Sequence, residues 1–187
     1  MQKRKIKEST LIISNHKKVM DGVFMTLVFI HNHIRTVAAE FLYDNYKSLR
    51  VLLNTLDGIK VNRFSPDIEF INKCVSILSK PKRTIMMFPE GRLPIPGETR
   101  ILPFKYSYLL IALQAKCKIM VVYHDGNYGM FKRTHIAISK PIDIAQYCHK
   151  TNPSVAELTK LSRIFEDKMR EMKLLVVNRG HAVNNKR

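Results

Sequence analysis

The stretch that decides the fold is Leu11-Ile12-Ile13-Ser14-Asn15-His16-Lys17-Lys18-Val19-Met20-Asp21. Its apolar start predicts a buried strand, and the polar residues that follow predict a turn at the end of that strand. His16 and Asp21 can meet if the chain turns between them. The carboxylate would then hold one ring nitrogen of the histidine and leave the other nitrogen as a base.

The same spacing has a simpler interpretation. A solvated histidine at a turn, followed by an acid near a helix start where negative charge favours the dipole, would look identical. No obvious serine accompanies His16 and Asp21 to complete a serine-histidine-aspartate triad. If the pair is catalytic, we therefore expect the substrate to supply the nucleophile.

Length and composition predict one globular domain over residues 1–187, because a chain of 187 residues that is 45% hydrophobic can bury a packed core. The three cysteines are dispersed and form neither a disulfide framework nor a CxxC pair, so we expect a reducing, cytosolic setting and no metal site. No apolar run reaches the ~18 residues that span a bilayer. The basic N-terminus lacks the pattern of a cleaved signal peptide.

The net charge of +17, from 32 basic and 15 acidic residues, predicts anionic partners. Nucleic acid, an anionic membrane surface and phosphorylated substrates all fit such an excess. Basic tails at about residues 1–8 and 178–187 contribute to the charge and could equally serve solubility alone. Charge by itself does not rank these alternatives.

Short β-like runs alternate with helix-like segments along the chain. Strands are predicted at 11–14, 36–41, 59–62, 84–88, 118–123 and 134–139, and helices at 22–33, 46–56, 65–79, 104–115 and from 154 onward. This alternation predicts an α/β fold, a single domain with a central mixed, largely parallel sheet flanked by helices. Ligands of such sheets bind beyond the carboxyl ends of the strands. His16, Arg63 and Glu90 each lie near such an end, so we expect them to converge on one cleft.

Three blocks of sequence carry a resemblance to a known family. They are Asn15-His16 followed after four residues by Asp21, then Gly58 to Arg63, then Phe88-Pro89-Glu90-Gly91-Arg92. In this order and at these separations they resemble the glycerolipid acyltransferases, the lysophosphatidate acyltransferase family, over about residues 11–144. The resemblance implies transfer of a fatty acyl group from acyl-CoA or acyl-carrier protein to the sn-2 hydroxyl of lysophosphatidate, giving phosphatidate. Glycerol 3-phosphate or another lysophospholipid is an alternative acceptor.

The resemblance also implies roles for the site residues. His16 would be the general base that removes the proton from the acceptor hydroxyl, and Asp21 would orient its imidazole. Arg63 would bind the acceptor phosphate, since a guanidinium matches phosphate oxygens. Glu90 would bind or order the acceptor, although a structural role in pairing with a neighbouring arginine is an open alternative. Gly91 would let the backbone turn sharply.

Arg92 departs from the family pattern, in which Thr-Arg follows Phe-Pro-Glu-Gly. Here the arginine comes one place early, so its role in phosphate binding is open. The proline usual in the family's fourth block is also absent between Lys116 and Val122. No cofactor is expected beyond acyl-CoA or acyl-carrier protein as co-substrate.

Membrane association is a further expectation. Many members of the family carry a hydrophobic helical segment before the first block, whereas only residues 1–10 precede Leu11 here. We therefore expect either a shortened sequence or a cytoplasmic enzyme held peripherally at the inner face of the cell membrane, attracted to anionic lipid by its basic residues. Apolar side chains of residues 23–30 would face either this lipid or the core.

Two rival functions fit parts of the sequence. A basic nucleic-acid-binding domain is supported by charge alone, with no zinc spacing, ribonucleoprotein motif or clear helix-turn-helix, so we expect no nucleic-acid partner. A lipid-binding protein without activity is the second rival. The presence of both His16 and Asp21 argues against it.

Overall fold

The computed structural model describes residues 6–62, 68–128 and 133–184, with side chains described as far as residue 178. Seven strands are described: β1 (Thr10–Ser14), β2 (Arg35–Ala39), β3 (Ile59–Val61), β4 (Thr84–Met87), β5 (Lys118–His124), β6 (Ile136–Ile138) and β7 (Ile142–Asp143). Six α-helices accompany them: α1 (Asp21–Val28), α2 (Glu40–Asn45), α3 (Lys47–Thr55), α4 (Ile68–Leu78), α5 (Ser107–Ala115) and α6 (Val155–Asn184). Single 3-10 turns lie at Ile30–Asn32 and Ile144–Gln146.

The strands form one mixed sheet in the order β3-β2-β4-β1-β5-β6, with β7 also paired to β5. The pairs among β1 to β5 are parallel, whereas β6 and β7 run antiparallel to β5. Helices flank this sheet, which confirms the predicted α/β architecture. β1 lies between β4 and β5, so the residues that follow these three strands meet at one edge of the sheet.

Side chains of the central strands alternate between two apolar layers, as expected for β-structure. Leu11 and Ile13 of β1 pack in the large cluster with α4, α5 and α6, whereas Ile12 packs in the smaller cluster with Met25 of α1. Strands β4 and β5 alternate in the same way. As a result, the α1 side of the sheet receives Phe88 after β4 and, by the same alternation, His124 at the end of β5.

Several boundaries differ from the sequence prediction. The predicted strand 36–41 ends at Ala39 because helix α2 begins at Glu40, an acid in a first turn where negative charge favours the dipole. The predicted helix 22–33 ends at Val28 and continues only as a 3-10 turn, which ends at His33 in the left-handed region. Helix α5 begins at Ser107 rather than 104, and the two-residue β7 was not predicted.

Two predicted helix starts have different outcomes. The capping box at the start of α6 is confirmed, since the Glu157 amide donates to the Ser154 hydroxyl at 3.3 Å and the Glu157 carboxylate accepts from the Ser154 amide at 2.7 Å. The predicted start of α4 at Ser65 to Asp67 lies outside the described residues. Among the described helices, none combines the length and the apolar character needed to cross a membrane.

Candidate active site

The turn after β1 brings His16 and Asp21 into direct contact. The Nδ1 atom of His16 lies 2.8 Å from Oδ2 of Asp21, and both side chains are buried. The same carboxylate oxygen accepts the backbone amides of Lys17 and Lys18 at 2.5 and 2.8 Å, because α1 begins at Asp21 and turns the chain back on itself. A carboxylate only accepts, so Nδ1 carries the proton and Nε2 of the neutral imidazole is the free base.

The surroundings keep Asp21 ionised. Burial alone would raise the pKa of its carboxyl, but the hydrogen bonds from His16, from the hydroxyl of Tyr128 and from the Lys18 amide together bring the pKa below its usual value. The side chain of Asp21 is fully buried, so these donors replace its hydration. An ionised carboxylate on Nδ1 can stabilise the positive charge that an imidazole acquires when its other nitrogen accepts a proton.

Phe88, the first residue after β4, fixes the plane of the histidine ring. The two rings stack at 4.1 Å between centroids with an interplanar angle of 9°. The imidazole is therefore held both by a hydrogen bond along its edge and by an aromatic face. Such restraint on the ring limits the rotation that would change the direction in which Nε2 points.

Glu90 binds the backbone of the histidine turn. Its Oε1 accepts the His16 amide at 3.1 Å and its Oε2 accepts the Leu102 amide at 3.2 Å. Glu90 is 6% exposed, and burial raises the pKa of its carboxyl even though both amides oppose that shift. Its described contacts are these two amides rather than the neighbouring arginine considered in the sequence prediction. The geometry joins the third sequence block to the first.

Gly91 and Arg92 complete the turn after Glu90. Gly91 has φ +69° and lies under the side chain of Lys105, where an added Cβ would come within 2.7 Å of Lys105 Cε. Glycine adopts this left-handed conformation without the steric cost that a Cβ brings. Arg92 is turned toward Glu98, which it binds through two nitrogens at 2.8 and 3.1 Å. The structure thus engages the Arg92 guanidinium in an ion pair whose arginine side is exposed and whose glutamate side is largely covered.

Arg63, the predicted phosphate-binding residue, lies outside the described residues. Of the three residues predicted to converge, the structure brings His16 and Glu90 together through the bond from the His16 amide to Glu90. Among the parts of the chain that the structure describes, no group of three or more histidine, cysteine, aspartate or glutamate side chains could hold a metal ion.

The sequence analysis missed an arrangement between Asn15 and His124. The Asn15 amide side chain donates to the His124 carbonyl at 3.0 Å and accepts the His124 amide at 2.9 Å. The His124 ring places Nε2 3.2 Å from the Asn15 carbonyl, which only accepts, so this nitrogen carries the ring proton. Burial lowers the pKa of His124, which favours its neutral form. These three contacts fix the backbone immediately before His16.

Tyr128 is the second residue that the sequence analysis missed. Its hydroxyl donates to Oδ1 of Asp21, the oxygen that His16 does not use. Nothing in the sequence spacing indicates this contact, because Tyr128 lies 107 positions from Asp21. The parallel pairing of β1 with β5, in which Ser14 lies opposite Val122, is what brings the two loops together.

Two cavities with largely apolar linings lie near His16. The smaller, about 40 Å³, is lined by His16, Phe88 and apolar residues that include Val19 and Leu49. The larger, about 310 Å³, shares Val19 and Leu49 and is also lined by Met20, Tyr46, Ser48 and Leu52. The two linings together suit a long apolar group that reaches His16.

The chain is similar in sequence to known acyltransferases. The family profile described as Acyltransferase matches residues 1–125. The chain is 24% identical over 140 residues to a 1-acyl-sn-glycerol-3-phosphate acyltransferase of Limnanthes alba, covering 74% of this chain and 48% of that protein. It is 26% identical over 145 residues to a protein of the same name from Saccharomyces cerevisiae, covering 73% and 48%.

A solved structure shows the same fold. The crystal structure of the 1-acyl-sn-glycerophosphate (LPA) acyltransferase PlsC from Thermotoga maritima matches with a TM-score of 0.61 at 20% identity, covering 88% of this chain and 66% of that one. The present chain spans about half the length of the curated relatives it matches.

Proposed function

This chain belongs to the glycerolipid acyltransferase family, and on that premise we propose that it transfers a fatty acyl group from acyl-CoA or acyl-carrier protein to the sn-2 hydroxyl of lysophosphatidate. The product would be phosphatidate in phospholipid synthesis. The observation that carries the proposal is the buried contact between His16 Nδ1 and Asp21 Oδ2 at 2.8 Å, which leaves Nε2 as a base beside an apolar cavity. The relatives named above share this acceptor in their names.

The proposed reaction uses the acceptor hydroxyl as nucleophile. Nε2 of His16 takes the hydroxyl proton while the oxygen attacks the thioester carbonyl, and Asp21 stabilises the imidazolium that forms. Collapse of the tetrahedral intermediate breaks the carbon–sulfur bond, and the imidazolium returns the proton to the departing thiolate. The new ester carbon–oxygen bond replaces the thioester, so neither an acyl-enzyme nor a further cofactor is needed. The apolar cavity would hold an acyl chain with its reactive end at His16.

An assay with a matched histidine control tests the proposal. Purified protein would be mixed with lysophosphatidate and labelled acyl-CoA or acyl-carrier protein in detergent micelles. His16→Ala should lower kcat about 10²–10⁴-fold, the contribution of a positioned base. His149→Ala, at an exposed histidine, should retain wild-type activity. Wild-type activity in His16→Ala, or no transfer to lysophosphatidate by the wild type, would refute the proposal.

The acceptor phosphate is assigned to Arg63 as part of the same proposal. Arg92 is held by Glu98 in the structure, which supports a separate cation for the phosphate. Arg63→Ala should raise the KM for lysophosphatidate more than the KM for the acyl donor, because a guanidinium binds phosphate oxygens in a bidentate manner. A change confined to the donor KM would contradict this assignment.

We also propose that the enzyme works at an anionic membrane surface, peripherally at the inner face of the cell membrane. Supporting this, the lining of the larger cavity includes the exposed apolar side chains Val19 at 49%, Met20 at 45% and Tyr46 at 54%. The exposed Lys18 and Lys47 are their neighbours in the sequence. Apolar groups enter the interface while ammonium groups meet anionic headgroups. Wild-type protein should sediment with phosphatidylglycerol vesicles more than with phosphatidylcholine vesicles, and Met20→Glu should weaken both. Equal binding to the two compositions would refute the charge contribution.

A further inference from the structure

The carboxylate of Asp21 has two differently occupied oxygens. Oδ2 accepts from His16 Nδ1 and from the Lys17 and Lys18 amides, whereas Oδ1 accepts from the hydroxyl of Tyr128. Because the side chain of Asp21 is fully buried, no water replaces a lost donor without rearrangement. The orientation of the carboxylate therefore depends on donors at both oxygens.

Tyr128 is itself held from several sides. Its ring stacks on Phe24 of α1 at 4.8 Å between centroids with an interplanar angle of 19°. The Lys18 ammonium lies 5.0 Å from the ring centroid, within the range of a cation–π contact. Tyr128 thus packs against the same helix and turn that carry Asp21, and its hydroxyl reaches the carboxylate without a flexible intermediary.

The chain before Tyr128 is fixed by hydrogen bonds. Asp125 accepts the Asn127 amide at 2.9 Å through Oδ1, and through Oδ2 it contacts the His135 ring at 2.9 Å. Gly126 has φ +73°, and a Cβ there would lie 3.0 Å from Lys17 Cβ. Glycine permits both the left-handed backbone and the close approach to the catalytic turn. The segment from Asp125 to Tyr128 is therefore built to lie against the turn that carries His16.

From this geometry we propose that Tyr128 is a positioning residue of the catalytic pair, which holds Oδ1 of Asp21 so that Oδ2 stays aligned with Nδ1 of His16. The expected effect on catalysis rests on the proposed function, whereas the effect on the Asp21–His16 hydrogen bond rests on the observed contacts alone. Tyr128 also withdraws electron density from the carboxylate, because each hydrogen bond to an anion stabilises the anion. Tyr128, in the loop after β5, therefore helps to set the strength of the hydrogen bond between Asp21 and His16.

Removal of the hydroxyl has two consequences. In Tyr128→Phe the ring stacking on Phe24 can persist, but Oδ1 loses its donor and the carboxylate becomes a stronger base. The imidazole of His16 then takes up its proton at a higher pH, and the carboxylate gains freedom to rotate. Other ionisable groups near the pair, His124 at 3.9 Å from Asp21 and Glu90 at the His16 amide, are unchanged in the variant. Lys17 and Lys18 of the same turn are also unchanged, and the Lys18 ammonium can stay over the phenylalanine ring.

The kinetic test separates positioning from general structure. Tyr128→Phe should lower kcat roughly 10-fold, as expected for losing a hydrogen bond to a charged group, and should leave both KM values within about twofold. The acid limb of kcat/KM against pH should move to higher pH. Tyr147→Phe, at an exposed tyrosine, is the matched control and should match the wild type. In an Asp21→Asn background, Tyr128→Phe should have little further effect, because both changes act through one interaction.

A titration without turnover keeps the inference distinct from the proposed function. NMR observation of the His16 ring against pH should show protonation at higher pH in Tyr128→Phe than in the wild type, whether or not acyl transfer is detected. Substitution of Tyr128 by a fluorotyrosine, a stronger donor of the same shape, should move that protonation to lower pH and serves if the phenylalanine variant fails to fold. An unchanged His16 titration in the folded variants overturns the inference. An inactive wild type with the predicted titration shifts overturns only the proposed function.

Discussion

Replacing Glu90 by glutamine tests how the third sequence block acts on the first. Each oxygen of the carboxylate accepts one backbone amide, from His16 and from Leu102, and the side chain is 6% exposed. Glutamine keeps one acceptor oxygen and turns an NH2 group toward the other amide. One buried amide thus loses its acceptor, which costs about 1–3 kcal/mol of unfolding free energy. The value should lie toward the lower end, because burial raises the pKa of Glu90 and glutamine removes the cost of burying that charge.

The assay is urea unfolding at pH 7.5, combined with steady-state kinetics. Glu90→Gln should lower the midpoint with an unchanged m value, and kcat should fall because the backbone at His16 is no longer fixed. The KM for lysophosphatidate should stay within about twofold, as expected for a residue that does not touch the acceptor. Glu69→Gln, at an exposed glutamate on α4, should change the unfolding free energy by no more than about 0.5 kcal/mol.

The contrary result is equally definite. If Glu90→Gln keeps wild-type stability and kcat while the acceptor KM rises several-fold, the carboxylate binds the acceptor directly. The contacts with the His16 and Leu102 amides would then have no part in holding the active conformation. That outcome would favour the role in acceptor binding over the structural role, the two alternatives that the sequence leaves open.

Three further predictions concern the turn, the pH dependence and the thiols. Gly91→Ala should destabilise the fold by about 1–2 kcal/mol in the same urea assay, because alanine is strained at φ +69° and its Cβ meets Lys105. A Gly91→Ala variant as stable as the wild type would contradict the described turn. Burial lowers the pKa of His124 in the folded chain. As the pH falls below about 6.5, this histidine therefore takes up a proton more readily in the unfolded chain than in the folded chain. The free energy of unfolding should therefore decrease from pH 7.5 to pH 5.5, and decrease less in His124→Asn; equal slopes would refute this assignment. Burial raises the pKa of Cys117 to about 12, whereas Cys148 is partly exposed. A thiol reagent should therefore modify Cys148 in the native protein and Cys117 only after unfolding, which peptide mass spectrometry would measure.

Local sequence was sufficient for much of the fold. Apolar runs such as 11–14 and 118–123 predict strands because both faces of a central strand are buried, and the structure has strands there. The capping box at Ser154 and Glu157 predicts the start of α6 because its hydrogen bonds span only three residues. Prediction failed at residues 40–41 and 29–33, where the choice between strand, helix and turn depends on packing against distant segments.

The candidate site likewise has residues that the sequence predicts and contacts that it does not. His16 and Asp21 are near in sequence, so a single turn suffices to join them, and their chemistry is readable from the chain alone. Glu90 was identified through its sequence block, but its partners were not, because the His16 amide lies 74 positions away. The ion pair between Arg92 and Glu98 was likewise not predicted from the sequence, because it depends on the path of the loop rather than on a regular residue spacing.

The sequence by itself determined the α/β class, the acyltransferase resemblance and the histidine-aspartate pair, because each depends on short-range periodicity or on blocks in a fixed order. Only the tertiary structure decided what surrounds that pair. Tyr128 and His124 reach Asp21 and Asn15 across the junction of β1 and β5, from more than 100 positions away. Strand pairing and register set these contacts, and register depends on how whole apolar faces are buried rather than on any local pattern.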